Sequence, residues 1–352
     1  MQIGIPREVK VREGRVALIP EAAAELVHHG HQVYVETEAG LLSGYPDQAY
    51  QDLGVKILPD AQTLYDQAEM IVKVKEPQTE ELAMLNDGHL LFSYLHLAAE
   101  PDLLKSLQNI GLTAVGFETV EQDGRLPLLA PMSDIAGRLS VQIGTHLLHQ
   151  PQGGRGVLLG GLPGAERGKV VILGGGIAGS NAALMAQAIG AEVVVFDPNR
   201  SKQSQLRELG NNVTALHPYA SAIEQHVMDA DLLIGAVLVT GERAPHLVSA
   251  DLVKRMKKGS VIIDISVDQG GCIETIRPTN YEQPTFMLDG VLHFGVTNMP
   301  AAVPRSASQA LSAAIAPFVL RLAQKNWQNE TDLASGINVK AGKIMHSALK
   351  RL

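Results

Sequence analysis

Short runs of β-branched and other apolar residues alternate along the chain with longer segments of helical periodicity. This alternation predicts strands joined by helices, and such connections favour parallel sheets covered on both faces. A first series of strands is predicted at Gln2–Ile5, Val33–Glu36, Val55–Leu58, Met70–Val74, Leu90–Leu95 and Thr113–Phe117. A second series begins near Lys169 and is predicted at Val170–Leu173, Val193–Phe196, Leu232–Ile234, Val261–Ile265 and Val291–Val296.

Prolines, glycines and capping residues predict where helices begin and end. Pro20–His29 is expected to be helical, with a proline in its first turn and a glycine just beyond it. A proline-flanked segment separates the two strand series, and Ser133 after it is expected to cap a helix reaching about His149. A break at 298–304 precedes a further helix that Ser306 is expected to cap. We predict that this last helix leaves the second series and packs on the first.

A glycine-rich segment opens the second series. Residues 170–197 read VVILGGGIAGSNAALMAQAIGAEVVVFD. Gly174, Gly176 and Gly179 satisfy G-x-G-x-x-G between an apolar strand and a predicted helix, Ile177–Ile189. The first glycine permits a tight turn, the second allows a pyrophosphate to approach the backbone, and the third lets helix and strand pack closely. The pattern predicts dinucleotide binding, and its alternative is a glycine turn in an unrelated α/β protein.

The strand after this helix ends in Asp197, where the ribose hydroxyls of a dinucleotide lie. A carboxylate there repels a 2′-phosphate, so NAD is predicted in preference to NADP. Arg200 lies close in sequence and weakens that preference slightly.

The 352 residues are too many for one comfortable core and predict two domains. We predict an α/β fold of two Rossmann-like domains with parallel sheets. The NAD-binding domain is expected to be inserted in the chain of the other. Its predicted bounds are 129–303, and the substrate domain is expected to comprise 1–128 and 304–352.

Charge and cysteine content narrow the class of protein. The net charge of -8, from 29 Lys+Arg against 37 Asp+Glu, argues against nucleic acid or an anionic membrane as partner. The lone Cys272 excludes an internal disulfide and a cysteine-based zinc site, and we predict no metal site. The first residues lack a signal-peptide pattern, and the apolar stretch 310–322 is too short to span a membrane. A cytoplasmic protein is expected.

Polar residues follow several predicted strands, where ligands of open parallel sheets bind. Arg15 lies in the segment after the first strand, Lys75 follows the fourth and His96 follows the fifth. Asp268 follows Val261–Ile265 in the second series. A guanidinium, an ammonium, an imidazole and a carboxylate together suit an anionic substrate that needs proton transfer beside a hydride acceptor.

Each of these residues also has an ordinary structural alternative. Arg15 alone would suit a surface loop. Lys73 and Lys75 lie on one side of an alternating strand, and either fits a solvated position. His96 fits a hydrogen-bonded structural histidine, and Asp268 fits a turn cap in its Gln-Gly-Gly loop.

Longer motifs carry a family resemblance. They are IGIPREVK, GRVALIP, IVKVKEP, FSYLHLA, LLAPMSDIAGR, the glycine fingerprint, GAVLV, DISVDQGG and TNMPAAVP, and they run from residue 1 to beyond 304. On these motifs the chain resembles the alanine dehydrogenase family. The resemblance implies reversible, NAD-dependent oxidative deamination of L-alanine to pyruvate and ammonia.

The resemblance also implies roles for single residues. Arg15 and Lys75 would hold the substrate carboxylate and carbonyl oxygen, and His96 would be the general acid and base. Asp268 would contact the nicotinamide end of the cofactor and assist proton transfer. Further cofactor contacts implied are Ser133 at the phosphates, Asp197 at the adenosine ribose, Leu238 and Val239 packed against the cofactor, and Asn298 and Met299 at the nicotinamide.

The resemblance further implies a homo-hexamer, and closure of the two domains is expected to exclude water during hydride transfer. Two other functions stay open. One is the NAD-binding subunit of a proton-translocating transhydrogenase, which shares the two-domain plan but lacks the histidine of YLHLA and the KVKEP pattern. The other is a non-catalytic NAD-sensing module. Saccharopine dehydrogenase has a similar architecture but needs a larger substrate pocket.

Overall fold

Strands and helices alternate through most of the chain. The computed structural model describes residues 1–237 and 244–351. Its strands are β1 (Gln2–Ile5), β2 (Gln32–Glu36), β3 (Lys56–Leu58), β4 (Met70–Val72), β5 (Leu90–Ser93), β6 (Thr113–Gly116), β7 (Lys169–Leu173), β8 (Glu192–Phe196), β9 (Val213–Leu216), β10 (Leu232–Gly235), β11 (Val261–Asp264), β12 (Thr285–Leu288), β13 (Val291–Phe294), β14 (Ile337–Lys340) and β15 (Lys343–Ile344).

Helices cover the connections between these strands. They are α1 (Pro20–His28), α2 (Asp47–Gln51), α3 (Ala61–Gln67), α4 (Thr79–Leu82), α5 (Pro101–Ile110), α6 (Ala130–Leu147), α7 (Ile177–Ala188), α8 (Arg200–Arg207), α9 (Ala220–Met228), α10 (Ala250–Lys254), α11 (Pro304–Leu322) and α12 (Thr331–Ser335). Among the described residues, no helix is long and apolar enough to cross a membrane.

The chain forms two compact units, each with its own sheet. Unit 1 comprises Met1–Met132 and Ala301–Leu352, and unit 2 comprises Ser133–Pro300. Both sheets are mostly parallel, which confirms the predicted α/β class.

The sheet of unit 1 has the strand order β15-β14-β6-β5-β4-β1-β2-β3. The six strands from β6 to β3 run parallel, and β14 and β15 add an antiparallel edge. Strand β4 is apolar at every position and fully buried, as expected for a central parallel strand covered on both faces. The carboxyl ends of the six parallel strands therefore meet at one edge of the sheet.

The return helix α11 packs on α1 within unit 1, as predicted. The backbone N–H groups of Val16 and Ile19 donate to the hydroxyls of Ser308 and Ser312 at 2.9 and 3.0 Å. The expected cap at Ser306 is wrong, because α11 already begins at Pro304, where a missing N–H costs nothing.

The predicted cap at Ser133 is wrong for a similar reason. Helix α6 begins at Ala130, so Ser133 is its fourth residue and lies inside the helix.

The sheet of unit 2 has the order β12-β13-β11-β10-β7-β8-β9. All of its strands run parallel except β12, which pairs antiparallel with β13. The fingerprint strand β7 is central and lies between β8 and β10. The carboxyl ends of β7, β8, β10 and β11 consequently form one edge, where a ligand of this fold class binds.

Candidate active site

The predicted site residues fall into two groups, one in each unit, and each group lies on loops at the carboxyl ends of its parallel strands. In unit 1 these residues are Arg15, Lys75 and His96. In unit 2 they are the fingerprint glycines, Asp197, Asp268, Asn298 and Met299, together with Ser133 on helix α6. Leu238 and Val239 lie outside the described residues.

Arg15 is a buried cation held by a carboxylate, not the surface arginine of the alternative. It is only 2% exposed. Its Nε and Nη2 donate to the two oxygens of Glu13 at 2.6 and 2.5 Å, and its Nη1 lies 3.0 Å from the sulfur of Met132. Burial disfavours the charged form, but the Glu13 hydrogen bonds outweigh it and raise the pKa of Arg15. The guanidinium is therefore charged and held in a fixed orientation.

Lys75 is also largely buried, with 12% of its side chain exposed. Its closest acidic contact is Glu76 Oε2, which lies 3.7 Å from its Nζ, and in the described part of the chain no acceptor lies within hydrogen-bond distance of that nitrogen. Burial lowers the pKa of Lys75, and the positive charges of Lys10 and Arg15 add to the effect against the opposing charge of Glu76. The result is an ammonium poised to receive an anionic or carbonyl oxygen.

Glu76 is the carboxylate nearest to the Lys75 ammonium, and it also pairs with Lys10. Its Oε1 accepts a hydrogen bond from Lys10, while its buried Oε2 has no hydrogen-bond partner among the described residues. Burial favours the neutral form of this carboxyl, but Lys75 and Lys10 outweigh it and lower the pKa of Glu76.

Lys73 has a different role from Lys75, although both were candidates for a solvated position. It is 1% exposed, and its Nζ donates to both oxygens of Glu81 at 2.5 and 2.7 Å. A third carboxylate oxygen, Glu8 Oε2, lies 3.6 Å away. Lys73 is therefore a buried ion-pair partner, and Lys75 is the lysine left for a ligand.

His96 is exposed and has a strained backbone, with φ at +48°. Few residues other than glycine adopt this left-handed region, and such strain concentrates at functional sites. Glu118 stabilises the turn, because its carboxylate accepts the backbone N–H groups of Leu95 at 3.2 Å and His96 at 2.7 Å. The imidazole stacks on the buried Tyr94 ring with 5.9 Å between centroids and 9° between planes. The ring is therefore oriented while its edge stays accessible.

The glycine fingerprint of unit 2 meets the steric requirements of a dinucleotide site. Gly174 has a φ of +97°, and a β-carbon there would lie 2.5 Å from the carbonyl oxygen of Ala236. A β-carbon on Gly179 would overlap the carbonyl of Gly174. At Gly176 a β-carbon would meet nothing within 4 Å, so the space above the first turn of α7 is open. The helix N-terminus and this open space fit a pyrophosphate.

Asp197 holds the glycine loop from the end of β8. It is 5% exposed, and its two oxygens accept the backbone N–H groups of Gly175 and Asn199, both at 2.8 Å. The ammonium of Lys202 lies 3.8 Å from Asp197 Oδ2. Asp197 thus combines a structural function with its predicted place beside the ribose.

Asp268 lies in a short 3-10 turn, Val267–Gln269, and is exposed. The loop around it is held by the fully buried Asp264, whose oxygens accept the N–H groups of Ser266 at 2.9 Å and Cys272 at 2.8 Å. Burial raises the pKa of Asp264, and these hydrogen bonds oppose the rise.

Asn298 has a left-handed backbone, with φ at +59°, and directly precedes the 3-10 turn Met299–Ala302. Met299 is 3% exposed, and its carbonyl accepts the hydroxyl of Tyr281 at 2.8 Å.

Helix α6, which carries Ser133, packs on α7. Asp134 accepts a hydrogen bond from the Asn181 amide at 2.7 Å, and Arg138 donates to the same side chain at 3.0 Å. Ser133 therefore lies one residue from a direct contact with the fingerprint helix.

Sequence reasoning missed a set of carboxylates that share one function. Each lies at or beyond the end of a strand and accepts backbone N–H groups of a loop that carries a predicted site residue, or pairs with such a residue directly. They are Glu8, Glu13, Glu118 and Asp264. Their signal was an acid at or after the end of a strand, as in REVKVREGR, but a surface acid gives the same signal.

Together, the two sheets and the fingerprint define a dinucleotide-binding α/β protein. Two family models match, the alanine dehydrogenase/PNT N-terminal domain at residues 4–136 and its C-terminal domain at 140–347. The chain belongs to the alanine dehydrogenase/PNT family, as the motifs predicted.

Similar proteins cover nearly the whole chain. An alanine dehydrogenase from Halomonas elongata is 46% identical over 99% of this chain and 96% of its own length. One from Bacillus subtilis is 46% identical over 100% of this chain and 94% of its own length. A solved L-alanine dehydrogenase structure has 50% identity, a TM-score of 0.96 and covers 100% of this chain and 98% of its own. A transhydrogenase from Sinorhizobium meliloti shares the fold, with a TM-score of 0.88 at 23% identity over 98% and 100% of the two chains.

Proposed function

We propose that this chain catalyses the reversible oxidative deamination of L-alanine to pyruvate and ammonia with NAD. The observation that carries the proposal is the pair of largely buried cations in unit 1. Arg15 is held in place by Glu13, and Lys75 has no acceptor within hydrogen-bond distance in the described part of the chain. Two buried cations at the same edge of the sheet as an exposed imidazole suit a small 2-oxo acid better than a neutral ligand. The full-length similarity to alanine dehydrogenases selects pyruvate and alanine within that class.

Arg15 and Lys75 divide the recognition of the substrate. The planar guanidinium suits the carboxylate, which both alanine and pyruvate carry. The ammonium of Lys75 suits the carbonyl oxygen, because it stabilises negative charge that develops there when ammonia adds. The lowered pKa of Lys75 brings this group closer to neutrality than an ordinary lysine, so it also donates a proton more readily.

His96 moves protons in this scheme. An imidazole carries two ring nitrogens that can donate or accept a proton, and it suits the addition and removal of water at an imine carbon. Its backbone turn is fixed by Glu118 and its ring by Tyr94, so the edge that faces solvent is presented in a defined orientation. Such orientation accounts for much of the rate that a general base contributes.

Unit 2 would hold the cofactor. The open space at Gly176 and the N–H groups at the start of α7 would bind the pyrophosphate, Asp197 the adenosine ribose, and Asp268, Asn298 and Met299 the nicotinamide end. The bound dinucleotide supplies the hydride acceptor for alanine oxidation. Ser133 is proposed at the phosphates, as predicted from its motif.

A direct assay tests the proposal. NADH formation is followed with L-alanine, and with L-serine, glycine and saccharopine as comparison substrates. His96→Ala is expected to abolish turnover, while NADH fluorescence shows that the dinucleotide still binds. Binding without turnover of any of these substrates by the wild-type protein would support an NAD-sensing module instead. Turnover retained in the variant would remove His96 from the acid/base role.

Two further properties are part of the proposal. NAD is expected to be preferred over NADP, because the carboxylate of Asp197 repels a 2′-phosphate, although Lys202 lies 3.8 Å from it. Initial rates with both dinucleotides measure this preference.

We also propose a homo-hexamer, which sedimentation equilibrium tests.

A further inference from the structure

The loop that carries Lys75 is held by a buried carboxylate for which the proposed reaction has no use. Strands β1 and β4 pair at Ile3 with Met70 and at Gly4 with Ile71, and then separate. Beyond that point the carboxylate of Glu8, instead of the backbone of β1, accepts hydrogen bonds from the segment that follows β4. Its Oε1 accepts the N–H of Val74 at 2.6 Å.

The same carboxylate reaches the next residue as well. Glu8 Oε2 accepts the N–H of Lys75 at 3.3 Å. On the opposite edge, the carbonyl of Val74 accepts the N–H of Tyr94 at 3.2 Å, and the Tyr94 ring stacks on His96. Glu8 is therefore connected directly to the substrate lysine. Through Val74, whose N–H donates to Glu8 and whose carbonyl accepts the N–H of Tyr94, it is also connected to the segment after β5 that carries the histidine.

The charge of Glu8 is only partly balanced. Lys73 makes two short hydrogen bonds with Glu81, at 2.5 and 2.7 Å, and lies 3.6 Å from Glu8. Two buried carboxylates therefore interact with one ammonium, and Glu8 lies farther from it than Glu81 does. Such a pair takes up a proton more easily than an isolated carboxylate, because its two like charges repel each other.

Other charged groups face the same cluster. Glu13 adds a second repelling carboxylate, and the cation of Arg15 lies near enough to be stabilised by Glu8. The hydroxyl of Tyr65 donates to Glu81 at 3.0 Å on the far side of Lys73. Burial raises the pKa of Glu8 to about 7, against the attraction of Lys73 and with a further rise from Glu13.

We propose that Glu8 is a positioning residue for Lys75, and that its ionised carboxylate orders the lysine loop while its protonation loosens it. The inference rests on the proposed function, since it concerns the same lysine. A carboxylate accepts two N–H groups strongly, whereas a neutral carboxyl has one oxygen occupied by its own proton. As the pH falls through about 7, the hydrogen bonds to Val74 and Lys75 weaken and the loop becomes less ordered.

Hydrogen–deuterium exchange tests the physical step without turnover. In the wild-type protein, a peptide covering residues 73–78 is expected to be about tenfold better protected at pH 8 than at pH 6, after correction for the intrinsic exchange rate. Glu8→Gln is expected to give low protection at both pH values. Glu36→Gln is the matched control, because Glu36 is another buried carboxylate with a raised pKa, at the last residue of β2, but it accepts the N–H of Arg7 instead. The control is expected to behave as the wild type does.

Kinetics test the consequence. Glu8→Gln is expected to raise KM for pyruvate about tenfold at pH 8 with a much smaller change in kcat, because the loop that binds the carbonyl is loosened while His96 is unaltered. The acid-side rise of KM with falling pH is expected in the wild type and in Glu36→Gln, and to be absent in Glu8→Gln. If Glu8→Gln does not fold, Glu8→Asp keeps the charge and is expected to retain the pH-dependent protection at a lower level.

Two results would overturn the inference: equal wild-type protection of the 73–78 peptide at pH 6 and pH 8, or superimposable KM profiles for wild type and Glu8→Gln. A wild-type protein that never turns over alanine would instead refute the proposed function, while the exchange experiment would still decide the role of Glu8.

Discussion

Two glycines of the fingerprint differ sharply in what surrounds them, and this difference predicts opposite consequences for the same substitution. A β-carbon on Gly179 would overlap the carbonyl of Gly174, with the carbonyl carbon only 2.9 Å away. A β-carbon on Gly176 would meet nothing within 4 Å. Gly176 also has a φ of -70° and a ψ of -165°, a conformation that alanine adopts without strain. The requirement for glycine at 176 therefore comes from the ligand, whereas that at 179 comes from the fold.

The expected magnitudes follow from this geometry. Gly176→Ala is expected to change the free energy of unfolding by no more than about 0.5 kcal/mol, because no protein atom is displaced. Its methyl group would fill the space where the pyrophosphate approaches, and losing charge-assisted N–H contacts of about 3 kcal/mol weakens NADH binding about a hundredfold. Gly179→Ala is expected to cost roughly 1–3 kcal/mol or more, because helix α7 must move away from β7.

Urea unfolding and NADH fluorescence titration measure the two effects on the same preparations. The two variants serve as controls for each other, since both add one methyl group five residues or fewer from Gly174. Unchanged NADH affinity in Gly176→Ala would refute the argument that the open space belongs to the cofactor. A stable Gly179→Ala protein would show that the helix yields more easily than the close packing implies.

Three further predictions concern buried carboxylates. Glu13→Gln is expected to lower the free energy of unfolding by roughly 3–5 kcal/mol, because the buried Arg15 loses its counter-charge, and an unchanged urea midpoint would contradict this. Asp197→Ala is expected to cost about 1–3 kcal/mol and to weaken NADH binding, because the N–H of Gly175 loses its acceptor; calorimetry and titration check both. The pKa of Glu8 lies at about 7 in the folded protein, above its ordinary 4.5, so the folded state binds the proton more tightly than the unfolded state does. Protonation of Glu8 therefore adds to the free energy of unfolding, and this contribution is complete below about pH 4.5 and is lost as the pH rises through 7. The loss is on the order of 3 kcal/mol, and a wild-type pH–stability curve that superimposes on that of Glu8→Gln would contradict it.

The local sequence pattern was sufficient to predict the strands that are buried on both faces of their sheets. Strand β1 was predicted with its observed bounds, and β7, β8, β10 and β11 to within a residue at either end. Short, mostly apolar runs of this length have few other structures open to them in a chain of this composition. The family motifs then marked Arg15, Lys75 and His96 as candidate site residues among many charged residues, which periodicity alone would not have distinguished.

Elements with weaker patterns were missed. Strands β9, β12, β14 and β15 are short and lie at or next to the edges of their sheets, and three of them, β12, β14 and β15, pair antiparallel. Their residues pair because a neighbouring strand offers an unpaired edge, which is a property of the sheet and not of the segment. The predicted strands at 70–74 and 90–95 were too long for a related reason, since β4 and β5 end at Val72 and Ser93. Beyond those residues the N–H groups of Lys73 and Tyr94 still donate to backbone carbonyls. The N–H groups of Val74, Leu95 and His96 donate to carboxylates instead.

The sequence by itself determined the two series of parallel strands, the dinucleotide fingerprint and the identity of the charged groups at the strand ends. Only the tertiary structure decided which of two neighbouring lysines is a buried ion-pair partner and which is left for a ligand. It also decided that Glu8, Glu13, Glu118 and Asp264 hold the loops around those groups. The reason is that strand burial depends on nearby residues along the chain, whereas a carboxylate finds its N–H donors on loops up to 67 residues away, through contacts that no local pattern encodes.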